Sequence, residues 1–96
     1  MKGGNPRLLT KRVTIGFEEG LQARPAARFV QQASEYQSQL TIEQNGRVAN
    51  MKSIMGVMSM APACGEQLLM KAEGSDAEEA LKALASLVEK GKTMIK

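Results

Sequence analysis

Ninety-six residues suffice for one compact domain with a modest core and are too few for two. Aromatic residues make up 3% of the chain and apolar residues 43%, so the core must be built from Leu, Ile, Val, Met and Ala, with seven methionines to draw on. A net charge of +3, from 13 basic and 10 acidic residues that are interspersed without a basic run, speaks against direct nucleic-acid binding; the absence of histidine removes imidazole bases, His metal ligands and phosphohistidine.

Cys64 is the lone cysteine, so no disulfide can form within the chain, which fits a reducing compartment. With no histidine to serve as its base, it is expected to be a small buried or half-buried thiol rather than a nucleophile. No apolar run approaches membrane-spanning length and the N-terminus lacks a hydrophobic signal segment, so a cytoplasmic protein without membrane contact is expected.

Residues 1–7, "MKGGNPR", hold nothing apolar after Met1 and are expected to be a flexible extension ahead of a single domain over 8–96. Leu9, Arg12, Val13 and Ile15 give a largely alternating strand, ended by Gly16 and a turn at Glu18-Glu19-Gly20. Pro25 suits the first turn of a helix, and Ala26, Phe29, Val30 and Ala33 recur at helical spacing, which predicts an amphipathic helix from Pro25 to about Glu35. Leu40 and Ile42 alternate with polar residues as a strand, Asn45-Gly46 marks a hairpin turn, and Arg47 to Asn50 form the return strand. Ser53 stands as N-cap to a short helix containing Ile54, Met55, Val57 and Met58. Leu68, Met70 and Ala72 make a further strand. Ser75 and Glu78 are spaced as a capping box before a helix with the stripe Ala77, Ala80, Leu81, Leu84, Leu87 and Val88, closed near Gly91. This order predicts an α+β domain, an antiparallel sheet with helices packed on one face.

No constellation for catalysis is visible. Asp76, Glu78 and Glu79 are accounted for by a helix start, Glu18 and Glu19 by a solvated turn, and there is no Gly-rich phosphate loop. Two helix starts stand out instead. At the first, Gln22-Ala23-Arg24-Pro25, free backbone N–H groups favour an anion, with Arg24 adding a positive charge and Arg28 another one turn on. The reachable side chain is an amide, however, and an amide is neither a nucleophile toward phosphorus nor a proton acceptor at neutral pH. At the second start, Ser53 is either a plain N-cap or a site where phosphate would gain from the helix terminus, with Lys52 adjacent. Ile54, Met55 and Met58 fit a core stripe or an exposed adaptable patch, and spacing alone favours core.

"GLQARPAARFV", "NGRVANMKSIMGVMSM" and "EGSDAEEALKALASLVE" closely resemble the family of the histidine-containing phosphocarrier protein, HPr, of the bacterial sugar phosphotransferase system, over about Leu8 to Lys90. The resemblance implies an open-faced sandwich: a four-stranded antiparallel sheet with two long helices and one short one on one face. In that family a histidine matching Gln22 takes phosphate from enzyme I and passes it to sugar-transporter subunits, and a serine matching Ser53 is phosphorylated by HPr kinase/phosphorylase. This chain keeps the serine and has glutamine for the histidine, a combination that looks like the catabolite-repression branch of the family (Crh). Such a resemblance implies a non-catalytic regulator that cannot act as a histidine phosphocarrier, needs no cofactor, and after phosphorylation at Ser53 serves as corepressor of catabolite control protein A.

The contact surface carried over comprises Gln22, Ala23, Arg24, Ala27, Arg28, Lys52, Ile54, Met55 and Met58, and in this light the Met stripe is expected to be half exposed. Residues 1–7, Glu18-Glu19 and Arg28 depart from the family pattern and bear on partner choice. A second reading makes the chain a modulator of a metabolic enzyme, bound unphosphorylated through the same surface. Exchange of the tail and first strand between protomers would give a swapped homodimer.

Overall fold

The structure is a computed structural model that describes residues 8–18, 20–21 and 23–89, with only the backbone of Ala23. The N-terminal extension, Glu19, Gln22 and the expected helix closure at Gly91 lie outside the described residues. Its elements are β1 (Leu8–Thr14), α1 (Ala23–Ala33), β2 (Gln39–Gln44), β3 (Arg47–Asn50), α2 (Ile54–Met60), β4 (Gln67–Glu73) and α3 (Ala77–Glu89).

All strand pairings are antiparallel, in the order β1-β4-β2-β3. Alternation decides which face each strand buries: Leu40 and Ile42 of β2, and Leu68, Met70 and Ala72 of β4, all point to the helices and exclude solvent. Opposite them lie Ala26, Phe29 and Ala33 of α1, and Ala80, Leu84 and Val88 of α3. Phe29 is the bulkiest buried side chain, and Met51 and Met70 are the methionines that the core absorbs. In β1 the alternation fails at Lys11. Its register partner is the buried Met70, yet Lys11 itself is exposed, because β1 is an outer strand and a long cationic stem can run out past its edge. Asn45 and Gly46 adopt φ of 53° and 80°, the left-handed pair that a tight hairpin needs.

Three expectations need correction. Helix α3 does not start with a Ser75/Glu78 capping box: the residue before it is Asp76, whose Oδ2 accepts from the N–H of Gln37 at 2.9 Å and whose Oδ1 accepts from the N–H of Ser38 at 2.9 Å and from its hydroxyl. Donors from a distant loop have displaced the local cap, and they leave the buried Ser38 satisfied. These bonds, the Ser38 hydroxyl first and the Gln37 N–H next, hold the Asp76 carboxyl below its ordinary pKa. In the stripe of α3, Ala85 is buried whereas Leu87 is only partly so. Cys64 is exposed, since the Ala63-Cys64-Gly65 turn stands off the sheet.

Candidate functional site

The helices whose starts the sequence singles out, α1 and α2, pack against each other, with the start of α1 tied to the segment leaving α2 and the segment before Ser53 tied to the loop after α1. The loop entering α1 is pinned at both ends. Gly16 donates its N–H to the Val88 carbonyl at 2.7 Å, and a Cβ at Gly16 would collide with the Glu89 carbonyl, so only glycine lets this loop lie on the end of α3. Further on, Leu21 is fully buried and donates its N–H to the Pro62 carbonyl at 2.9 Å, which ties the start of α1 to the segment leaving α2. Beyond this anchor α1 presents Arg24, Ala27 and Arg28 to solvent and turns Pro25, Ala26 and Phe29 inward.

Ser53 is the N-cap of α2: it is extended, with φ −112° and ψ 113°, and its hydroxyl oxygen accepts from the Gly56 N–H at 3.1 Å. The segment before it is tightly held, because Asn50 Oδ1 accepts from the Lys52 N–H at 2.8 Å and the Asn50 carbonyl accepts from the Ser53 N–H at 3.0 Å. Lys52 is not directed at the serine. Its ammonium donates to the Tyr36 carbonyl at 2.6 Å, satisfying a backbone group just past the end of α1.

Within α2 only Val57 is buried. Ile54 is 38% exposed, Met58 44% and Met55 77%. The spacing-based preference for a core role is therefore overturned: seven residues cannot bury both of their faces when one lies on β3 and α1. Exposed Ile54, Met55 and Met58 form an apolar patch beside the cap serine. An adaptable surface of this kind suits repacking against a partner.

Chemically, the described residues place at this site the half-buried hydroxyl of Ser53, beside exposed apolar side chains, and two exposed guanidinium groups on the neighbouring helix. Nothing among them converges as a cluster of three or more metal-ligating Cys, Asp or Glu side chains, and no described helix is long and apolar enough to cross a membrane. Sequence reasoning missed Leu21 and Pro62, the buried pair that ties the start of α1 to the segment leaving α2. A fully apolar residue after a turn glycine was the available signal.

Comparison with known proteins agrees with this fold. The family profile described as PTS HPr component phosphorylation site matches residues 9–90. The HPr-like protein Crh of Halalkalibacterium halodurans is 45% identical over 83 residues, which are 86% of this chain and 99% of that protein. Among solved structures, the phosphocarrier protein HPr from Bacillus anthracis superposes with a TM-score of 0.83 at 51% identity, over 84% of this chain and 96% of that one. Crh of Bacillus subtilis, solved as a swapped dimer, superposes with a TM-score of 0.71 at 44% identity, over 83% and 92%. With the open-faced sheet, the three helices and a profile match across nearly all of the described residues, the chain belongs to the HPr family.

Proposed function

We propose that the chain is a regulatory, non-catalytic member of the family acting in carbon catabolite repression, switched by phosphorylation of Ser53 and then docking as corepressor on catabolite control protein A. The observation that carries this reading is the cap serine standing beside an exposed apolar patch, Ile54, Met55 and Met58, on an otherwise well-packed domain. Identity over the matched residues does not separate the phosphocarriers from the Crh proteins, since it is 51% to one and 45% to the other. The decisive residue is Gln22, because a chain without any histidine has no group to carry a phosphoryl from enzyme I.

In the switch reaction, catalysed by HPr kinase/phosphorylase, Ser53 Oγ forms a bond to the γ-phosphorus of ATP, the bond to the bridging oxygen breaks, ADP leaves and the hydroxyl proton is released. The new group brings about −1.5 to −2 charges to a surface whose partner contacts are otherwise apolar and cationic, so it can recruit arginine or lysine from a regulator. Arg24, Ala27 and Arg28 of α1, with Gln22 and Ala23 at its start, would border the docked partner, while Lys52 would act by holding the segment before Ser53 in place.

Intact-mass measurement after incubation with HPr kinase/phosphorylase, ATP and Mg²⁺ tests the first half. One phosphate on the parent chain and none on Ser53→Ala is expected, and full incorporation into the variant would remove Ser53 from its role. Binding of the phosphorylated chain to immobilised catabolite control protein A tests the second half. The apolar patch is open before any modification, which favours a second reading in which the unmodified chain binds a metabolic enzyme; capture without kinase and ATP would support it.

A further inference from the structure

Between β3 and α2 the surface opens into a cleft of about 280 Å³ whose walls include Arg47, Ala49 and Asn50 on one side and Ser53, Gly56 and Ser59 on the other. Gly56 forms its floor: a Cβ added there would lie 3.3 Å from Ser53 Oγ and 3.6 Å from the Ala49 Cβ. The strand and the helix therefore approach closely at the serine, and the missing side chain keeps the space beside the hydroxyl open.

Arg47 is the single charged side chain on these walls among the described residues. It follows the Asn45-Gly46 turn, pairs with Gln44 in register, and shares with Ala49, two residues on, the face of β3 that looks toward the helices. Ala49 packs against the core, so Arg47 leaves the strand on the same side and reaches the cleft past the end of the buried region. Among the described residues it makes no ion pair. Lys52, next to Ser53 in the chain, is committed to the Tyr36 carbonyl, and Arg24 and Arg28, exposed on α1 as Arg47 is on β3, do not line the cleft. Among the described residues no carboxylate lines the cleft.

We propose that Arg47 is the internal counter-charge for a phosphate on Ser53, holding the modified side chain in the β3–α2 cleft. The inference rests on the assignment of Ser53 as the phosphorylation site. Its consequence is chemical as well as positional. A guanidinium within reach favours the dianion over the monoanion, lowers the second ionisation of the phosphomonoester, and keeps the switch fully charged at neutral pH. It also limits the orientations the phosphate presents to a docking regulator, so the partner meets an ordered anion rather than a freely rotating one.

The test is a ³¹P NMR titration of the phosphorylated chain, with one phosphate per chain verified beforehand by intact mass. Arg47→Gln should raise the second phosphate pKa by about half a pH unit, the size expected for one cation about 6 Å away in water-like dielectric. Arg47→Lys should retain most of the depression, Arg28→Gln should move it less than Arg47→Gln does, and about 1 M salt should shrink the difference between parent and Arg47→Gln. Variants that the kinase rejects can be made with phosphoserine incorporated at position 53 during synthesis. Equal titration of the parent and Arg47→Gln, with phosphate present on both, would overturn the role of Arg47 and leave the phosphorylation site standing. No phosphate on the parent chain would overturn the site itself, and the counter-charge with it.

Discussion

Helices α2 and α3 are both rich in apolar residues, yet they use them in opposite ways. In α3, Ala77, Ala80, Leu81, Leu84, Ala85 and Val88 are buried against the sheet and α1, and the polar residues face out. In α2 only Val57 is buried, and Ile54 and two methionines are left in solvent. A helix with many apolar positions is thus not by that fact a core helix; length decides how many can be covered, and α2 is 7 residues against 13. The excess on the short helix becomes available for recognition, whereas the long helix carries stability.

The strongest way to break this division is truncation of the buried stripe. Leu84→Ala in α3 should cost roughly 2–5 kcal/mol of folding stability, as removal of a fully buried leucine does. Urea denaturation with unchanged slope would measure it; a loss below about 0.5 kcal/mol, the size of an ordinary surface substitution, would mean that α3 is not the stabilising partner. Ser53→Ala, which deletes the cap bond to Gly56, should cost about 1 kcal/mol by the same measurement and abolish phosphate incorporation. Met55→Ala should change stability by less than about 0.5 kcal/mol, because the side chain is 77% exposed, while weakening binding to catabolite control protein A. A stability loss comparable to that of Leu84→Ala would make Met55 a core residue after all.

The smallest effect is confined to acid. The carboxyl of Asp76 at the start of α3 is held below its ordinary value of 3.8 by the Ser38 hydroxyl and the Gln37 N–H, so its stabilising contribution is complete above that value and fades as pH falls through the lower folded value. The acid limb of a stability-versus-pH curve should therefore be shallower in Asp76→Asn than in the parent, and parallel limbs would remove Asp76 from the account of this helix start.

Most of the fold was legible because strong periodicities recorded it. Leu40/Ile42, Leu68/Met70/Ala72 and the Asn45-Gly46 turn appear where their patterns placed them, and Pro25 lies in the first turn of α1, although that helix begins and ends two residues earlier than its spacing predicts, at Ala23 and Ala33. What could not be read from local sequence were the features set by distant partners. Asp76 reads locally as part of a helix-start cluster with a Ser75/Glu78 box because Gln37 and Ser38, which claim its carboxylate, are distant in the chain. Lys52 looked like a companion to Ser53 because the Tyr36 carbonyl is invisible in the chain around it. At the candidate site, the cap role of Ser53 was readable from its residue type and position, but the exposure of Met55 and Met58 was not, since helical spacing is the same for a covered stripe and an uncovered one. The family resemblance, not the spacing, pointed to the patch.

The strand order β1-β4-β2-β3 has a consequence in time. The first strand of the domain, which begins by pairing Leu8 with Glu73, has no strand neighbour until β4 has left the ribosome, after every other strand of the sheet. Until then β2 and β3 can form a hairpin and α2 can be present, but the sheet that α2 and α1 pack on is unfinished. Pairings this distant also make folding slower than local ones of equal strength. A modifying enzyme that recognises the assembled surface therefore meets only chains in which β4 has joined the sheet, and the interval between emergence of β1 and arrival of β4 is when this protein is most open to pairing with the wrong strand.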